Sequence, residues 1–307
     1  MPTIDYDDME QFESRVVEAI DASMEFFNIL QYSEQDIKDA AVNITDVLEG
    51  KNHDLTYRHI DDWVYEADRR NYDLPNALGA GGAAGRYAVW LAERGYEVTL
   101  IDISGEQLRI AREKLKERGL LERVSIQEGD IRDLDFQDRT FDAVLCLGGP
   151  LSHVVDENER RAAAAELVRV AKDDYPVFVS VMGFYAALVI HALEKWGFVW
   201  KIEDFYERQK YDQKHINLGE ADEEAVFADT YFFKSSQLRE LLESNGLRIG
   251  KLFGLENIVS VIESIEDAEE ELSEDYKDRL RTAADMIRED NAAPDLSNHI
   301  LAIGWKK

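Results

Sequence analysis

The chain has 307 residues, 45% of them hydrophobic, which is enough for a sizeable buried core in one large or two ordinary domains. Acidic residues outnumber basic ones 64 to 35, so the formal net charge is −29 at pH 7. A field of this sign repels nucleic acids and anionic membranes, and it excludes both as expected partners. Because the charge is spread along the chain and not concentrated in one tail, it favours a salt-adapted, halophilic surface over an acid-dependent binding role.

The cysteine content and the first residues indicate the compartment. Cys146 is the one cysteine, and it lies in the apolar run AVLCL, where a thiol behaves as a small hydrophobe and not as a nucleophile. The N-terminal sequence MPTIDYDDMEQF is acidic and lacks an apolar segment, so we expect neither a secretory signal nor a transit peptide. No apolar run approaches the ~20 residues that a membrane span needs. The sequence therefore predicts a soluble, cytoplasmic protein.

Helical periodicity dominates the N-terminal part of the chain. Apolar residues recur every three or four positions from Met9 to Leu48, with a break near Ser33, and this predicts two amphipathic helices. A third helical stretch spans residues 58–70. Residues 1–72 are therefore predicted to form a helical cap, followed by a second unit at 73–307.

Strand and helix patterns alternate after this cap, and that order is typical of an α/β fold with a doubly wound, mostly parallel sheet of about seven strands. The predicted strands lie at residues 76–80, 97–101, 124–127, 141–147, 176–182, 247–252 and 299–305. The predicted helices lie at residues 85–94, 105–118, 157–171, 235–244 and 262–289. Ligands of such folds bind at the carboxyl ends of the strands.

The regular alternation lapses between residues 184 and 233. Residues 184–196 suggest a helix, and residues 199–230 are polar, aromatic and irregular. The whole stretch is long for a connection in a compact fold. Insertions of this length are more often functional than idle. We therefore predict that residues 184–233 form an insertion beside the ligand site.

A glycine-rich turn is the first candidate binding element. It reads LGAGGAAG, ahead of a helix and a strand that ends at Asp102. Its glycines are Gly79, Gly81, Gly82 and Gly85. They let the backbone take positive φ and let a ligand approach the unpaired N–H groups that begin the next helix. Asp102 is then placed to accept hydrogen bonds from two ribose hydroxyls. The glycine pattern alone is weak evidence, since it fits G-x-G-x-x-A and G-x-x-x-G equally well.

Two further strand ends supply polar groups to the same edge. Asp130 follows the third strand in EGDIRDLDF, and the fourth strand opens into the loop LGGPLSH. An adenosine across these ends would meet Asp102 at its ribose and Ile103 against its ring face. Asp130 would accept a hydrogen bond from the exocyclic amine. A dinucleotide site needs the first carboxylate but not the second.

With these residues the chain resembles the class I methyltransferases that use S-adenosylmethionine. The family's glycine motif is similar to residues 79–85, its two acidic positions to Asp102 and Asp130, and its fourth-strand loop to residues 147–153. The tail SNHILAIGW resembles the family's last strand, which is inserted antiparallel. The resemblance implies a Rossmann-like fold, S-adenosylmethionine as cofactor, no metal, and methyl transfer to a small-molecule acceptor. It also implies that Ile131, Leu147 and Gly148 contact the cofactor.

Two positions depart from the family's pattern. The resemblance places Gly79 where an acidic residue is usual, and Ala83 where a glycine is usual. The missing carboxylate normally helps to hold the cofactor's ammonium group. A cofactor-binding protein without turnover is therefore an alternative, and a nicotinamide-dependent oxidoreductase is a weaker one.

His153 and Tyr231 are the candidate catalytic residues. A histidine in a strand-end loop titrates near neutral pH and suits proton removal from the acceptor. Tyr231, together with Phe227, is placed to wall an aromatic or apolar acceptor. Alternatively, His153 caps the next helix, and the aromatic residues belong to the core. The remaining histidines, including His53 and His59, match no metal-ligand spacing and are interpreted as surface residues.

Overall fold

The computed structural model describes residues 76–194, 202–211, 229–255 and 290–307. The predicted helical cap at 1–72 lies outside the described residues, and so do His53, His59, Phe227 and the helical segment at 262–289. The predicted boundaries of the cap and of the insertion therefore stay predictions.

Nine strands and six α-helices are assigned in the described residues. The strands are β1 (Asn76–Ala80), β2 (Glu97–Asp102), β3 (Val124–Glu128), β4 (Ala143–Cys146), β5 (Pro176–Met182), β6 (Lys210–Tyr211), β7 (Thr230–Tyr231), β8 (Leu247–Gly254) and β9 (His299–Lys306). The helices are α1 (Arg86–Glu93), α2 (Gly105–Glu117), α3 (Glu157–Val170), α4 (Phe184–Glu194), α5 (Ile202–Arg208) and α6 (Ser235–Ser244). Single 3-10 turns lie at Pro150–His153 and Ala293–Leu296.

Seven strands form one mixed sheet in the order β3-β2-β1-β4-β5-β9-β8. Strands β1 to β5 pair in parallel, whereas β9 is antiparallel to both β5 and β8. The doubly wound sheet predicted from the alternating pattern is confirmed, and so is the antiparallel last strand. The strand order reverses between β1 and β4, which is where doubly wound sheets bind their ligands.

Helices cover both faces of the sheet, so its central strands are buried on both sides. On one face, the strands pack against α1 and α2 through residues such as Leu91, Leu108 and Leu115. On the other face, they pack against α3 and α6 through Leu167 and Leu238. Each fully buried leucine contributes about 1.5–3 kcal/mol relative to an exposed one, which explains why these strands read as continuous apolar runs.

The insertion begins at the carboxyl end of β5 and returns to it. Helix α4 starts two residues after β5 ends, and the chain comes back as β7, which pairs with β6. An isolated bridge joins Gly183 to Phe233, so residues 230–233 lie along the end of β5. The described parts of the insertion therefore sit at the sheet edge that the sequence analysis assigns to the ligand.

Candidate active site

The glycine turn between β1 and α1 packs so closely that two of its positions exclude a side chain. Gly81 has φ +66°, and a Cβ there would lie 2.6 Å from the ring of Pro150. A Cβ on Gly82 would collide with Leu100 Cδ1. Gly79 differs, since a Cβ there would make only ordinary contact with Leu100 at 3.5 Å. Close approach is therefore required at Gly81 and Gly82.

Asp102 ties this turn to the end of β2. One carboxylate oxygen accepts from the backbone N–H of Ala83 at 2.9 Å, and the other accepts from that of Ser104 at 2.9 Å. Gly82 N–H also donates to the Ile101 carbonyl at 3.0 Å. A carboxylate has about four lone-pair sites, so Asp102 keeps acceptor capacity for two hydroxyl donors. The structure therefore leaves this side chain, 9% exposed, able to fill its predicted role at a ribose.

The apolar candidates divide into one exposed and two buried side chains. Ile103 is 71% exposed at the end of β2, next to Asp102, where a flat apolar ring can cover it. Ile131 and Leu147 are both only 6% exposed, and their side chains belong to the core. Any contact of these two residues with a ligand is therefore limited largely to their backbone.

Asp130 is held by its neighbour Arg132. The guanidinium Nη2 lies 2.6 Å from Oδ2, Nε donates to both oxygens at 2.9 and 3.0 Å, and the Arg132 backbone N–H donates to Oδ1 at 2.9 Å. Arg132 also pairs with Glu159 at 2.6 Å. The guanidinium lowers the pKa of the Asp130 carboxyl below its ordinary value. The predicted hydrogen bond from an adenine amine would therefore have to share this carboxylate with Arg132.

Buried serines fix the loop after β4 against β5. Ser180 Oγ accepts from Gly148 N–H at 2.8 Å, and Ser152 Oγ accepts from Met182 N–H at 2.9 Å. Gly148 has φ +84°, and a Cβ built on it has no heavy atom of the described residues within 4 Å. The loop is thus pinned on one side and open at Gly148, which leaves room for the predicted contact of Gly148 with a ligand.

His153 ends the 3-10 turn that follows this loop, and its side chain is exposed. Its Nδ1 lies 3.3 Å from the Asp229 carbonyl and 3.4 Å from Thr230 Oγ1. Helix α3 is capped instead by Asp156, whose Oδ1 accepts from two backbone N–H groups at 2.8 and 3.1 Å. The capping alternative for His153 is therefore wrong, and the histidine joins the β4 loop to the returning insertion.

Tyr231 is half-buried and is engaged on every side that the structure describes. The guanidinium of Arg160 lies 3.6 Å over its ring, and the ring of Phe233 meets it edge-on at 4.8 Å. Its hydroxyl donates to Gln209 Oε1 at 3.2 Å. Burial raises the pKa of this phenol, and the charge of Arg160 lowers it in part. These contacts favour the core interpretation of Tyr231 over a place in the wall of an acceptor site.

The remaining chemistry-bearing groups offer no second site in the described part of the chain. Burial raises the pKa of the Cys146 thiol to about 12, so it stays protonated at neutral pH. Across the described ranges, no three His, Cys, Asp or Glu side chains are grouped as metal ligands. None of the helices assigned there is long and apolar enough to cross a membrane.

The roles of three residues at this edge were not predicted from the sequence. Arg132 follows Asp130 by two positions, a spacing that could have suggested their pairing. Ser180 is a lone polar residue in the apolar run PVFVSVM, and such a residue usually has a specific partner. Arg160 gave no signal, because its contact with Tyr231 joins residues far apart in the sequence.

Comparison with known proteins identifies the domain type. Residues 77–174 match the family model described as "Methyltransferase domain". Ubiquinone/menaquinone biosynthesis C-methyltransferase UbiE of Shewanella piezotolerans is 33% identical over 99 residues, which cover 32% of this chain and 38% of that protein. Phosphatidylethanolamine N-methyltransferase of Cereibacter sphaeroides is 44% identical over 75 residues, covering 24% of this chain and 35% of that protein.

One solved structure extends the similarity beyond the matched segment. A SAM-dependent methyltransferase from Methanosarcina mazei aligns with a TM-score of 0.52 at 18% identity, over 78% of this chain and 95% of that chain. At this identity the match shows a shared fold. The chain covers 38% and 53% of the first two curated relatives it matches, so those alignments leave much of each relative uncovered.

Proposed function

We propose that this chain, which belongs through residues 77–174 to the class I S-adenosylmethionine-dependent methyltransferase family, transfers a methyl group from S-adenosylmethionine to a small-molecule acceptor. One observation carries the proposal. The Asp102 carboxylate is tied by backbone hydrogen bonds to a glycine turn, and it keeps lone pairs for a ribose beside the exposed Ile103.

The residues at the sheet edge fit this cofactor. Asp102 would hold the ribose hydroxyls, Ile103 would cover one face of the adenine, and Gly148 would line the open side of the β4 loop. Asp130 would accept from the adenine amine in competition with Arg132. When bound, S-adenosylmethionine supplies a sulfonium methyl that is already activated for displacement, so the protein's tasks are alignment and exclusion of water.

His153 is the proposed proton acceptor for an acceptor group that must lose a proton. With Nδ1 protonated and donating to the Asp229 carbonyl, Nε2 remains free to accept. The contact to Thr230 places this imidazole between the β4 loop and the insertion. The insertion at 184–233 and the cap at 1–72 would then enclose the acceptor.

Calorimetry with S-adenosylhomocysteine in high-salt buffer tests the cofactor site. Asp102→Asn keeps the shape of the side chain but removes its charge. The amide NH2 of the asparagine then faces a backbone N–H, so one hydrogen bond is lost. We expect the affinity to fall about 10- to 100-fold, the loss of one or two charge-assisted hydrogen bonds. The matched control is Asp174→Asn, an exposed aspartate at φ +65° before β5, where asparagine is equally suited.

Thermal unfolding of both variants shows whether each is folded when its affinity is measured. Equal affinity of the wild-type chain and Asp102→Asn would contradict the site. So would no binding by a wild-type chain that unfolds cooperatively.

A binding protein without turnover is the second candidate, and one observation favours it. Ala83, where the family usually has glycine, takes φ +43°, a conformation that costs a non-glycine residue about 1–2 kcal/mol. Neither β1 nor the turn after it carries a carboxylate for the cofactor's ammonium group. Tight binding of S-adenosylmethionine with no product across a panel of acceptors would favour this candidate. The match to a methyltransferase domain gives no support to the nicotinamide alternative.

A further inference from the structure

Three aromatic rings on helices α4 and α5 lie close to one lysine ammonium group. The Nζ of Lys234 lies 5.1 Å from the ring centre of Phe184, 5.8 Å from that of Tyr185 and 4.9 Å from that of Tyr206. The rings also contact each other, since Phe184 meets Tyr185 at 5.3 Å and Tyr206 at 5.7 Å. We call Phe184, Tyr185 and Tyr206 the aromatic cage. Several ring faces within about 6 Å of one cation form the arrangement that recognises alkylammonium groups.

The lysine in this cage is unusual for such an acidic chain. Carboxylates outnumber basic side chains 64 to 35, yet no ion pair joins Lys234 to a carboxylate among the described residues. Its ammonium is instead held by the quadrupoles of the rings. The cage therefore holds a cation that no carboxylate of the described ranges neutralises, and that is the property a ligand cation would use.

The cage lies next to the proposed methyl-transfer site. Met182, the last residue of β5, borders the β4 loop on one side, since a Cβ built on Gly149 would lie 3.7 Å from Met182 Cε. On the other side it packs against the buried cluster that contains Phe184 and Phe205. Phe184 stacks on Phe205 at 5.4 Å, which fixes the orientation of the cage relative to β5. One side chain thus separates the cage from the loop assigned to the cofactor.

The cage is open to solvent on the side of its two tyrosines, whereas Phe184 is buried. Tyr206 is 52% exposed and Tyr185 is 38% exposed. Helix α5, which carries Tyr206, also exposes Glu203 and Glu207, and these charges attract cations over several ångströms. A small cationic ligand can therefore reach the rings once the lysine has left them.

We infer that the aromatic cage binds an alkylammonium group of the methyl acceptor, and that Lys234 occupies this place until the acceptor displaces it. This inference rests on the proposed function, because it names the substrate class of the same site. The lysine side chain is long and its stem is flexible, so it can move aside without a change in the backbone. Its displacement by the ligand would give a site that is closed by its own cation when no acceptor is present.

Choline is the probe for this site, and its binding can be followed by saturation-transfer NMR without any cofactor. Lys234→Ala empties the cage, and we expect it to bind choline about 10-fold or more tighter than the wild-type chain does. Adding Tyr206→Ala to this variant should abolish the gain. Lys172→Ala is the matched control, because the Lys172 ammonium lies 5.9 Å from the ring centre of Tyr175 and pairs with Asp142 at 2.7 Å, so its removal should create no choline site.

A neutral isostere distinguishes the contribution of the positive charge to binding from that of the ligand's shape. We expect 3,3-dimethyl-1-butanol, which replaces the quaternary nitrogen by carbon, to bind Lys234→Ala much more weakly than choline does. The inference is overturned if Lys234→Ala binds no choline at millimolar concentrations, if Tyr206→Ala leaves that binding intact, or if the isostere binds equally well. Failure of S-adenosylhomocysteine to bind the wild-type chain would instead contradict the proposed function, since choline binding is measured without it.

Discussion

The two halves of the candidate site are held together by different means. In the proposed cofactor half, at the ends of β1 and β2, Asp102 binds the backbone N–H groups of Ala83 and Ser104, within twenty residues of sequence. In the proposed acceptor half, around α4 and β7, side chains are held by contacts with other side chains. Arg160 covers Tyr231, and Gln209 pairs with Gln237 through hydrogen bonds of 2.8 and 3.1 Å.

The backbone contacts of the first half are set by the fold, whereas the side-chain contacts of the second half can change with the sequence. Backbone groups are the same for every residue, so the cofactor half depends on a few glycines and one carboxylate. The acceptor half depends on the identity of many side chains that lie far apart in the sequence. If the acceptor binds there, we expect substitutions in this half to change the acceptor without disturbing the cofactor.

The sharpest way to break the cofactor half is to add a side chain to its turn. Gly81→Val places a branched residue at φ +66° and drives its Cβ into Pro150. Overpacking and left-handed strain together should lower the free energy of unfolding by about 2–4 kcal/mol and abolish S-adenosylhomocysteine binding. Gly79→Ala is the control, with an expected loss below about 1 kcal/mol and retained binding. Thermal unfolding and calorimetry measure both, and equal effects at the two glycines would contradict the turn geometry.

A smaller effect is expected from the acceptor half. Arg160 is 6% exposed, and its Nη1 donates to the carbonyls of Val154 and Val155 at 2.8 and 3.0 Å. Arg160→Ala removes these bonds and the ring contact, so we expect a loss of about 2–3 kcal/mol in unfolding free energy. The affinity for S-adenosylhomocysteine should stay within about three-fold of wild type, since the change lies outside the cofactor half.

The neighbouring arginine provides the control for that experiment. Arg161 is exposed and pairs with Glu157 at 2.7 Å, so Arg161→Ala should cost less than about 1 kcal/mol. A large drop in cofactor affinity for Arg160→Ala, without one for Arg161→Ala, would show that the two halves are not independent.

The smallest effect concerns Asp130, where the cofactor half depends on a side-chain pair. Arg132→Ala frees both carboxylate oxygens, and we expect calorimetry to show an affinity about two- to five-fold tighter for S-adenosylhomocysteine. The pair is partly exposed, so the stability loss should be below about 1 kcal/mol. Arg132 lowers the pKa of Asp130 in the folded state. The pair therefore stabilises the folded protein at pH values above the unfolded-state pKa of Asp130, and this stabilisation is lost as the pH falls through the lowered pKa.

Chemical denaturation between neutral and acidic pH measures that dependence. Arg239→Ala is the control, since Arg239 is a partly exposed arginine on α6 that pairs with Glu243 at 3.3 Å. A weaker affinity in Arg132→Ala than in this control would mean that Arg132 positions Asp130 for the cofactor instead of competing with it.

The sheet and the cofactor half were predictable from the sequence because their signals are local. Strand β1 begins and ends where the apolar run predicts, and Asp102 follows the glycine turn at the expected strand end. The predicted fourth strand at 141–147 is shorter in the structure, Ala143–Cys146, because Phe141 leaves the ladder to bridge Ala171. Boundaries of this kind depend on tertiary contacts and not on the pattern of one segment.

The side-chain contacts of the acceptor half could not be predicted from the sequence, because they join residues far apart in the chain. The cage forms only where the end of β5, helix α5 and the start of α6 converge, and no periodicity links Phe184, Tyr206 and Lys234. The pairing of Asp130 with Arg132 was not predicted for another reason. Both residues are close in the sequence, but whether Arg132 occupies the Asp130 carboxylate depends on their side-chain rotamers. The sequence predicted a site at this edge, but not which of its charges were already paired.

Strand β9 has a consequence for how the protein is made. It is synthesised after β8, yet it lies between β5 and β8 and pairs with both. While the ribosome has delivered only residues up to β8, the nascent sheet has an unfilled gap and two open ladders that can recruit other chains. Completion of the sheet therefore waits for residues 299–306, and a chaperone that shields β5 and β8 during this interval would raise the yield of folded protein.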